Sequence, residues 1–427
     1  MRERPGMSTK AVHAGFRCDP TTGASVLPIY QSASFCFRDL ESARALFQME
    51  ERGFIYSRIS NPTVEALEER VAALEGGSAA CAFASGQAAL TALALALCSP
   101  GSHVVSSSRV YGGSYELFSV VLSRLGIDFS FVDPHDLGGL REAIREETAF
   151  VFVETIGNPT LDVPDLEGWA RIAHERGVPL VVDNTFASPA LCRPLEHGAD
   201  VVLHSATKYM CGLGSSIGGV IVEGGNFDWK SSRFPNLSRP DPIHGYVYAD
   251  RFGDKALSTW LRSYALMLLG GCMSPFNAFL IWQGLFTLPL RMRKHSENAM
   301  GVAEFLSSHP MVEWVNYPLL PGSRSHPNAS RYLPEGASGM VSFGVRGGLR
   351  EGALFLQSLS LFKHLANVGD SCSLAVHPAS TTHSALSPEE RARAGIPDNM
   401  IRLSVGIEDL EDIIYDLERA LEEVRRS

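Results

Sequence analysis

The sequence lacks the spacings that mark several common classes of protein. Its eight cysteines, Cys18, Cys36, Cys81, Cys98, Cys192, Cys211, Cys272 and Cys372, include no C-x-x-C pair. That argues against a zinc site and a disulfide framework and points to reduced cytoplasmic thiols. His377 and His383, in SLAVHPASTTH, have no third ligand at a suitable spacing, so no metal is expected. There is no lysine or arginine run, and the net charge is -10, which argues against nucleic acid as a partner. The longest apolar run, Ala88 to Cys98, is too short to cross a bilayer and suits a buried helix. Met1 to Lys10 is charged and has no signal-peptide core, so no membrane partner is expected. Internal repeats and low-complexity tracts are also missing.

What remains is a chain of 427 residues, 45% hydrophobic, long enough for a large core and two domains. Residues 1–60 carry no strong periodicity, and Ser25 to Phe37 mixes Pro28, Tyr30 and serines as an extended arm does; such arms lie on a neighbouring subunit. After Asn61 and Pro62, apolar residues at Val64, Leu67, Val71 and Leu74 predict a helix over Thr63 to Leu74. Up to about residue 222, short apolar runs alternate with helical stretches. Strands are predicted at Ala79–Ala84, His103–Ser106, Asp128–Val132, Ala149–Glu154, Pro179–Val182, Asp200–His204 and Gly218–Val222. Continuously apolar strands separated by helices imply a parallel sheet covered on both faces. The last connection is too short for a helical crossover, so the seventh strand is expected to return antiparallel.

Helices over Leu257 to Leu269 and Pro275 to Phe286 complete a large domain, 61–286. A C-terminal domain, 287–427, is expected with strands at Met340–Val345 and Met400–Val405. It ends in a helix with Leu410, Ile413, Ile414, Leu417 and Leu421 on one face. The fold class is therefore α/β, a seven-stranded mostly parallel sheet with one antiparallel strand, plus a smaller α+β domain.

In open parallel sheets ligands bind beyond the carboxyl ends of the strands. Ser85, Gly86 and Gln87 follow the first predicted strand, Tyr111 the second, Asn158 the fourth, Asp183 the fifth, and Ser205, Thr207 and Lys208 the sixth. A lysine held at a strand end can lose its proton and attack a carbonyl, and the aldehyde of pyridoxal phosphate is the candidate. The N–H groups after Ser85 suit a phosphate, or a simple helix cap. Asp183 suits a pyridine nitrogen, or a turn; Asn158 suits the ring hydroxyl, or an Asn–Pro turn; Tyr111 suits ring stacking, or packing. Arg402, in a strand with apolar neighbours, needs a carboxylate, either a substrate's or an internal one such as Glu408 or Asp409.

The series YSRISNPT, SGQAAL, ETIGNPT, VVDNTFASP, HSATKY, HPASTTH and IRLSVGIED resembles the Cys/Met-metabolism family of pyridoxal-phosphate enzymes, of the aspartate-aminotransferase fold type, nearly end to end. Within it, SGQAAL, RVYGGSYELF and SIGGVIVEGGNFDW look most like the O-acetylhomoserine sulfhydrylase branch. The resemblance implies that Lys208 bonds the cofactor and shuttles protons, Asp183 holds the pyridinium, Tyr111 stacks and Asn158 contacts the ring hydroxyl. It implies a phosphate site of Ser85, Gly86, Gln87, Ser205 and Thr207, completed by Tyr56 and Arg58 of an adjacent chain, in a dimer or tetramer. Arg402, helped by Ser373, would clamp the substrate carboxylate.

The implied activity is γ-replacement on O-acetyl-L-homoserine, acetate giving way to sulfide, in cytoplasmic methionine biosynthesis. Cys211, Leu213 and Cys372 depart from the branch pattern and leave an amine, carbon or bulkier thiol nucleophile open. The alternatives are a γ-lyase releasing 2-oxobutyrate and ammonia, and a non-catalytic cofactor-binding protein.

Overall fold

The apolar runs of the first half fold into one sheet in a computed structural model that describes residues 5–384 and 387–427. The first four residues of the expected arm, and 385–386 of the expected C-terminal domain, lie outside the described residues. The strands are β1 (Ala79–Phe83), β2 (His103–Ser107), β3 (Asp128–Val132), β4 (Thr148–Glu154), β5 (Leu180–Asp183), β6 (Val201–His204) and β7 (Gly219–Glu223), in the order β1-β7-β6-β5-β4-β2-β3. β7 pairs antiparallel with both β1 and β6, and the remaining pairs are parallel. The expected topology therefore holds, with β7 alone running against the other six.

Side chains alternate across a strand, so a run that is apolar throughout feeds two cores. Val104, Phe150, Phe152, Val181 and Leu203 pack on one face. Val105, Val151, Val153, Val182 and Val202 pack on the other. Helix Pro62–Glu75 covers the second face. Asn61 accepts the N–H of Thr63 at its start, and Gly76 ends it at φ 84°, a left-handed turn that glycine makes without strain. Leu67, Val71 and Leu74 are fully buried, each contributing about 1.5–3 kcal/mol by removal from water.

The C-terminal half holds a second sheet, of β8 (Val312–Asn316), β9 (Met340–Val345), β10 (Lys363–His364), β11 (Leu374–Val376) and β12 (Met400–Ser404), in the order β10-β11-β12-β9-β8. β8, β10 and β11 were not expected from the sequence. β10 is two exposed residues, and β8 buries little beyond Val312, so neither carries a period-2 signal. The closing helix, Leu410–Arg426, buries Ile413, Leu417 and Leu421, with Leu410 and Ile414 at the rim of that face. Helix Leu288–Ser308 joins the two sheets, and one apolar core continues from Val182 through Met292 and Val302 to Phe343 and Leu417.

The N-terminal segment is less extended than its sequence suggests. Met7–His13 is a helix that packs on Pro62–Glu75 and Leu288–Ser308 of its own chain, and Asp39 caps a second helix, Leu40–Phe47. Helices of two turns are too short to show a period. Among the described residues no helix is long and apolar enough to cross a membrane.

Candidate functional site

The carboxyl ends of β1, β2, β4, β5 and β6 open into one cavity of about 320 Å³, closed on its far side by Asn367, Val368 and Arg402. Of the sequence candidates, Ser85, Gly86, Gln87, Tyr111, Asn158, Asp183, Ser205, Thr207, Lys208 and Arg402 all line it.

Lys208 lies four residues beyond β6, and its Nζ donates to Asn367 Oδ1 at 2.5 Å. Asn367 Nδ2 in turn donates to Asp370 Oδ1 at 2.9 Å. Burial, helped by the nearby Arg402 charge and opposed by Asp370, pulls the Lys208 ammonium down to about 8. An amine in that range carries and releases a proton near neutral pH.

At the opposite side, Ser85 caps helix Gly86–Leu97 by accepting the N–H of Ala88 at 3.1 Å. The glycines there are required by contact. A Cβ on Gly86 would lie 2.9 Å from Ser205 Cβ, and one on Gly219 would lie 2.1 Å from the Ser85 carbonyl oxygen. Ser205 N–H donates to Thr185 Oγ1, and Thr207 Oγ1 exchanges hydrogen bonds with the backbone of Gly218. Gln87 Oε1 is buried with no hydrogen-bond partner among the described residues.

Glu154 and Asp183 end neighbouring strands and are register partners. Asp183 accepts the N–H of Thr185 at 2.9 Å, and burial raises its pKa. Burial, reinforced by the Asp183 charge, holds Glu154 well above the usual carboxylate range. Glu154 Oε1 accepts the N–H of Tyr111 at 2.7 Å, and Oε2 that of Asn158 at 3.1 Å.

Arg402, 3% exposed on β12, donates from Nη1 to Asn158 Oδ1 at 2.8 Å. Among the described residues no carboxylate pairs with it, so the internal ion pair left open by the sequence is not formed. Glu408 is engaged elsewhere, by the N–H and hydroxyl of Ser373. Burial lowers the guanidinium pKa to about 10, which marks an uncompensated buried cation suited to an anionic ligand.

Ser373 is not brought to the cavity. Its hydroxyl donates its one proton to Glu408 and accepts the N–H of Gly406 at 2.9 Å, and it does not line the cavity. Tyr56 and Arg58 also lie outside their own chain's cavity. They are on the surface, with the Arg58 guanidinium 4.9 Å from the Tyr56 ring centroid and its Nε bonded to the Met267 carbonyl. Cys211 is buried with its thiol toward Ser215, and Leu213 is 65% exposed; neither lines the cavity. Cys372 is half-buried and does not line it either.

His377 bonds the Asp398 carbonyl and Ser380, as a structural histidine does. The trio His309, Glu418 and Glu422 converges closely enough to suggest a cation. However, His309 Nδ1 accepts the N–H of Met311, which keeps the proton on Nε2, the atom facing Glu418.

The sequence reading missed Glu154, Thr185, Asn367 and Asp370. Glu154 had a signal, an acid ending the apolar run AFVFVE. Asn367 and Asp370 sit in irregular chain between β10 and β11 with no periodic cue.

These groups fit pyridoxal phosphate. An amine with a lowered pKa, a buried acid, and a helix N-terminus stripped of side chain at Gly86 face one cavity.

A family model described as Cys/Met metabolism PLP-dependent enzyme matches residues 8–422. An O-acetyl-L-homoserine sulfhydrylase of Leptospira meyeri is 46% identical over 426 residues, covering 97% of this chain and 96% of that one. A homocysteine synthase of Schizosaccharomyces pombe is 46% identical over 424 residues, covering 98% and 99%. Among solved structures, a protein of Campylobacter jejuni assigned as an O-acetylhomoserine (thiol)-lyase has a TM-score of 0.93 and 38% identity, covering 98% of this chain and 100% of that one. Its crystal structure carries N'-pyridoxyl-lysine-5'-monophosphate.

Proposed function

The chain belongs to the Cys/Met-metabolism family of pyridoxal-phosphate-dependent enzymes, and on that premise we propose that it catalyses γ-replacement on O-acetyl-L-homoserine, exchanging acetate for sulfide to form homocysteine. The observation that carries the proposal is the convergence of Lys208, Asp183 and an acid-free Arg402 on one cavity. The sulfhydrylase and homocysteine synthase relatives supply the substrate class.

When bound, pyridoxal phosphate supplies an aldehyde for Lys208 and a ring that takes up the electron pair left at the α-carbon. Asp183 would hold the proton on the ring nitrogen, Asn158 would meet the ring hydroxyl, and Tyr111 would cover the ring face. Ser85, Gly86, Gln87, Ser205 and Thr207 would hold the phosphate at the start of helix Gly86–Leu97. Arg402 orients the substrate through its carboxylate. Lys208 then takes the α-proton and, once it has handed that proton on, takes the β-proton, as the Cγ–O bond breaks and acetate leaves with the bonding electron pair. Sulfide forms the new C–S bond at Cγ, and Lys208 returns protons to Cβ and Cα. The lowered Lys208 pKa suits both directions of that transfer.

Sulfide is favoured over a bulkier nucleophile because Cys211 and Leu213 lie off the cavity and leave its shape alone. Tyr56 and Arg58 would complete the phosphate site of a neighbouring subunit. Their exposure beside Leu268 and Leu269, which are exposed as well, suits an interface of a dimer or tetramer. In this reading 61–286 is the cofactor domain, 287–427 the C-terminal domain, and the intersubunit arm expected at 1–60 is the part that follows helix Met7–His13, which packs on its own chain. Eight unpaired cysteines accord with the cytoplasm.

Product analysis tests the assignment. With O-acetyl-L-homoserine and sulfide the expected products are homocysteine and acetate. Equal 2-oxobutyrate release with or without sulfide would make the protein a γ-lyase instead. Cofactor binding without response to any O-acyl homoserine would leave a non-catalytic binder.

A further inference from the structure

We propose that Glu154 is a positioning residue that ties the cofactor wall of the cavity to Arg402, so that substrate-carboxylate binding depends on a group that touches no substrate. The inference rests on the reading of Arg402 given above.

Glu154 closes the run AFVFVE at the end of β4, where all seven strand residues are buried. Its two oxygens go to two different loops, one accepting the N–H of Tyr111 and the other the N–H of Asn158. Asn158 then turns its side-chain oxygen to Arg402 Nη1. The result is one line of hydrogen bonds, Tyr111 to Glu154 to Asn158 to Arg402, that crosses from the large sheet to the C-terminal sheet. Arg402 has no carboxylate partner among the described residues, so Asn158 fixes the direction of its guanidinium. Glu154 fixes the backbone from which Asn158 reaches.

The role does not require a charge on Glu154. Burial disfavours two anions on adjacent strand ends, and Glu154 is the acid whose protonation is promoted by both burial and the Asp183 charge. What it supplies is a pair of acceptors. Glu154→Gln keeps the shape but sets an amide NH₂ against one of the two N–H donors, which must then go unmatched. Glu154→Asp keeps both acceptors and withdraws them by one carbon.

The test uses the cofactor-loaded protein and reads binding, with no turnover needed. The cofactor absorbance is titrated with norleucine and with norleucinamide, which differ only at the carboxylate. The wild type is expected to prefer the acid, and Arg402→Lys to lose that preference. Glu154→Gln is expected to reduce it about tenfold, and the double variant to lose no more than Arg402→Lys alone. An undiminished preference in Glu154→Gln, or fully additive losses in the double variant, would overturn the inference. If Glu154→Gln does not fold, Glu154→Asp carries the same comparison. If Arg402→Lys itself keeps the preference, the reading of Arg402 falls and this inference falls with it. If only the Glu154 variants keep it, Arg402 stands and the inference alone is lost.

Discussion

The two walls of the cavity are built differently. Ser85, Glu154, Asp183 and Lys208 sit at or just past strand ends of the large sheet, where backbone pairing and two apolar cores place them. Asn367 and Asp370 sit in irregular chain between β10 and β11, and side-chain contacts place them: Lys208 to Asn367 to Asp370. A wall held by backbone moves little when one side chain changes. A wall held by side chains is retuned by a single substitution. The strand-end wall should therefore yield all-or-none effects where a reacting group such as Lys208 is removed and graded ones where an acceptor such as Glu154 is only altered, and the opposite wall should yield graded ones.

Lys208→Ala gives the largest contrast. It removes the only amine lining the cavity among the described residues and is expected to lower turnover by about a thousandfold or more. The folded protein should still take up the cofactor, released on dialysis because no covalent bond holds it. Turnover within tenfold of wild type, measured with O-acetyl-L-homoserine and sulfide, would remove Lys208 from the mechanism and the contrast with it.

Arg58→Ala comes next, because it asks whether the strand-end wall is complete within one chain. Loss of a charge-assisted hydrogen bond to phosphate is expected to weaken cofactor retention about tenfold to a hundredfold. Mixed oligomers of Arg58→Ala and Lys208→Ala should regain activity, since one site in the mixture draws Lys208 and Arg58 from intact copies. Absence of rescue in subunits shown to exchange would place Arg58 outside the site.

The same division decided what the sequence made legible. β4 was bounded to within one residue because a parallel strand buried on both faces reads as a continuous hydrophobic segment, and β3, a half-buried edge strand, was bounded to the residue by the alternation of DFSFV. Their polar terminators then located the candidate rim, and the short β6–β7 connection fixed the reversed strand. Arg402 stood out as a charge inside an apolar strand. Ser373 misled for the converse reason: it lies one residue before β11 and next to the wall, but its hydroxyl turns to Glu408, and local sequence does not encode that direction. Asn367 and Asp370 were invisible because their placement depends on contact with Lys208, 159 residues away in sequence. The two short N-terminal helices were missed for want of length, although Asp39 three residues before Ser42 is a cap in plain view.

Asp370→Asn should give the smallest effect and the sharpest one for the side-chain wall. The Lys208 ammonium is disfavoured first by burial and then by Arg402, and Asp370 is the carboxylate that opposes them. An amide at 370 keeps an acceptor for Asn367 Nδ2 but removes the negative charge, so the ammonium loses its one compensating neighbour and deprotonates more readily. Lys208 bonds the cofactor aldehyde only as the neutral amine, so the rate at which cofactor-free protein captures pyridoxal phosphate should rise with pH through about 8 in the wild type. In Asp370→Asn that rise should move to lower pH, with capture at pH 7 faster by roughly twofold to fivefold, the reach of one partly screened charge. Stopped-flow absorbance across pH 6 to 9, a range of about three units around the expected midpoint, reads the shift directly. A midpoint that stays put would mean that the Asp370 charge does not reach Lys208, and that burial and Arg402 set the amine without it. A midpoint that moves upward would reverse the assigned sign of the interaction between Asp370 and Lys208.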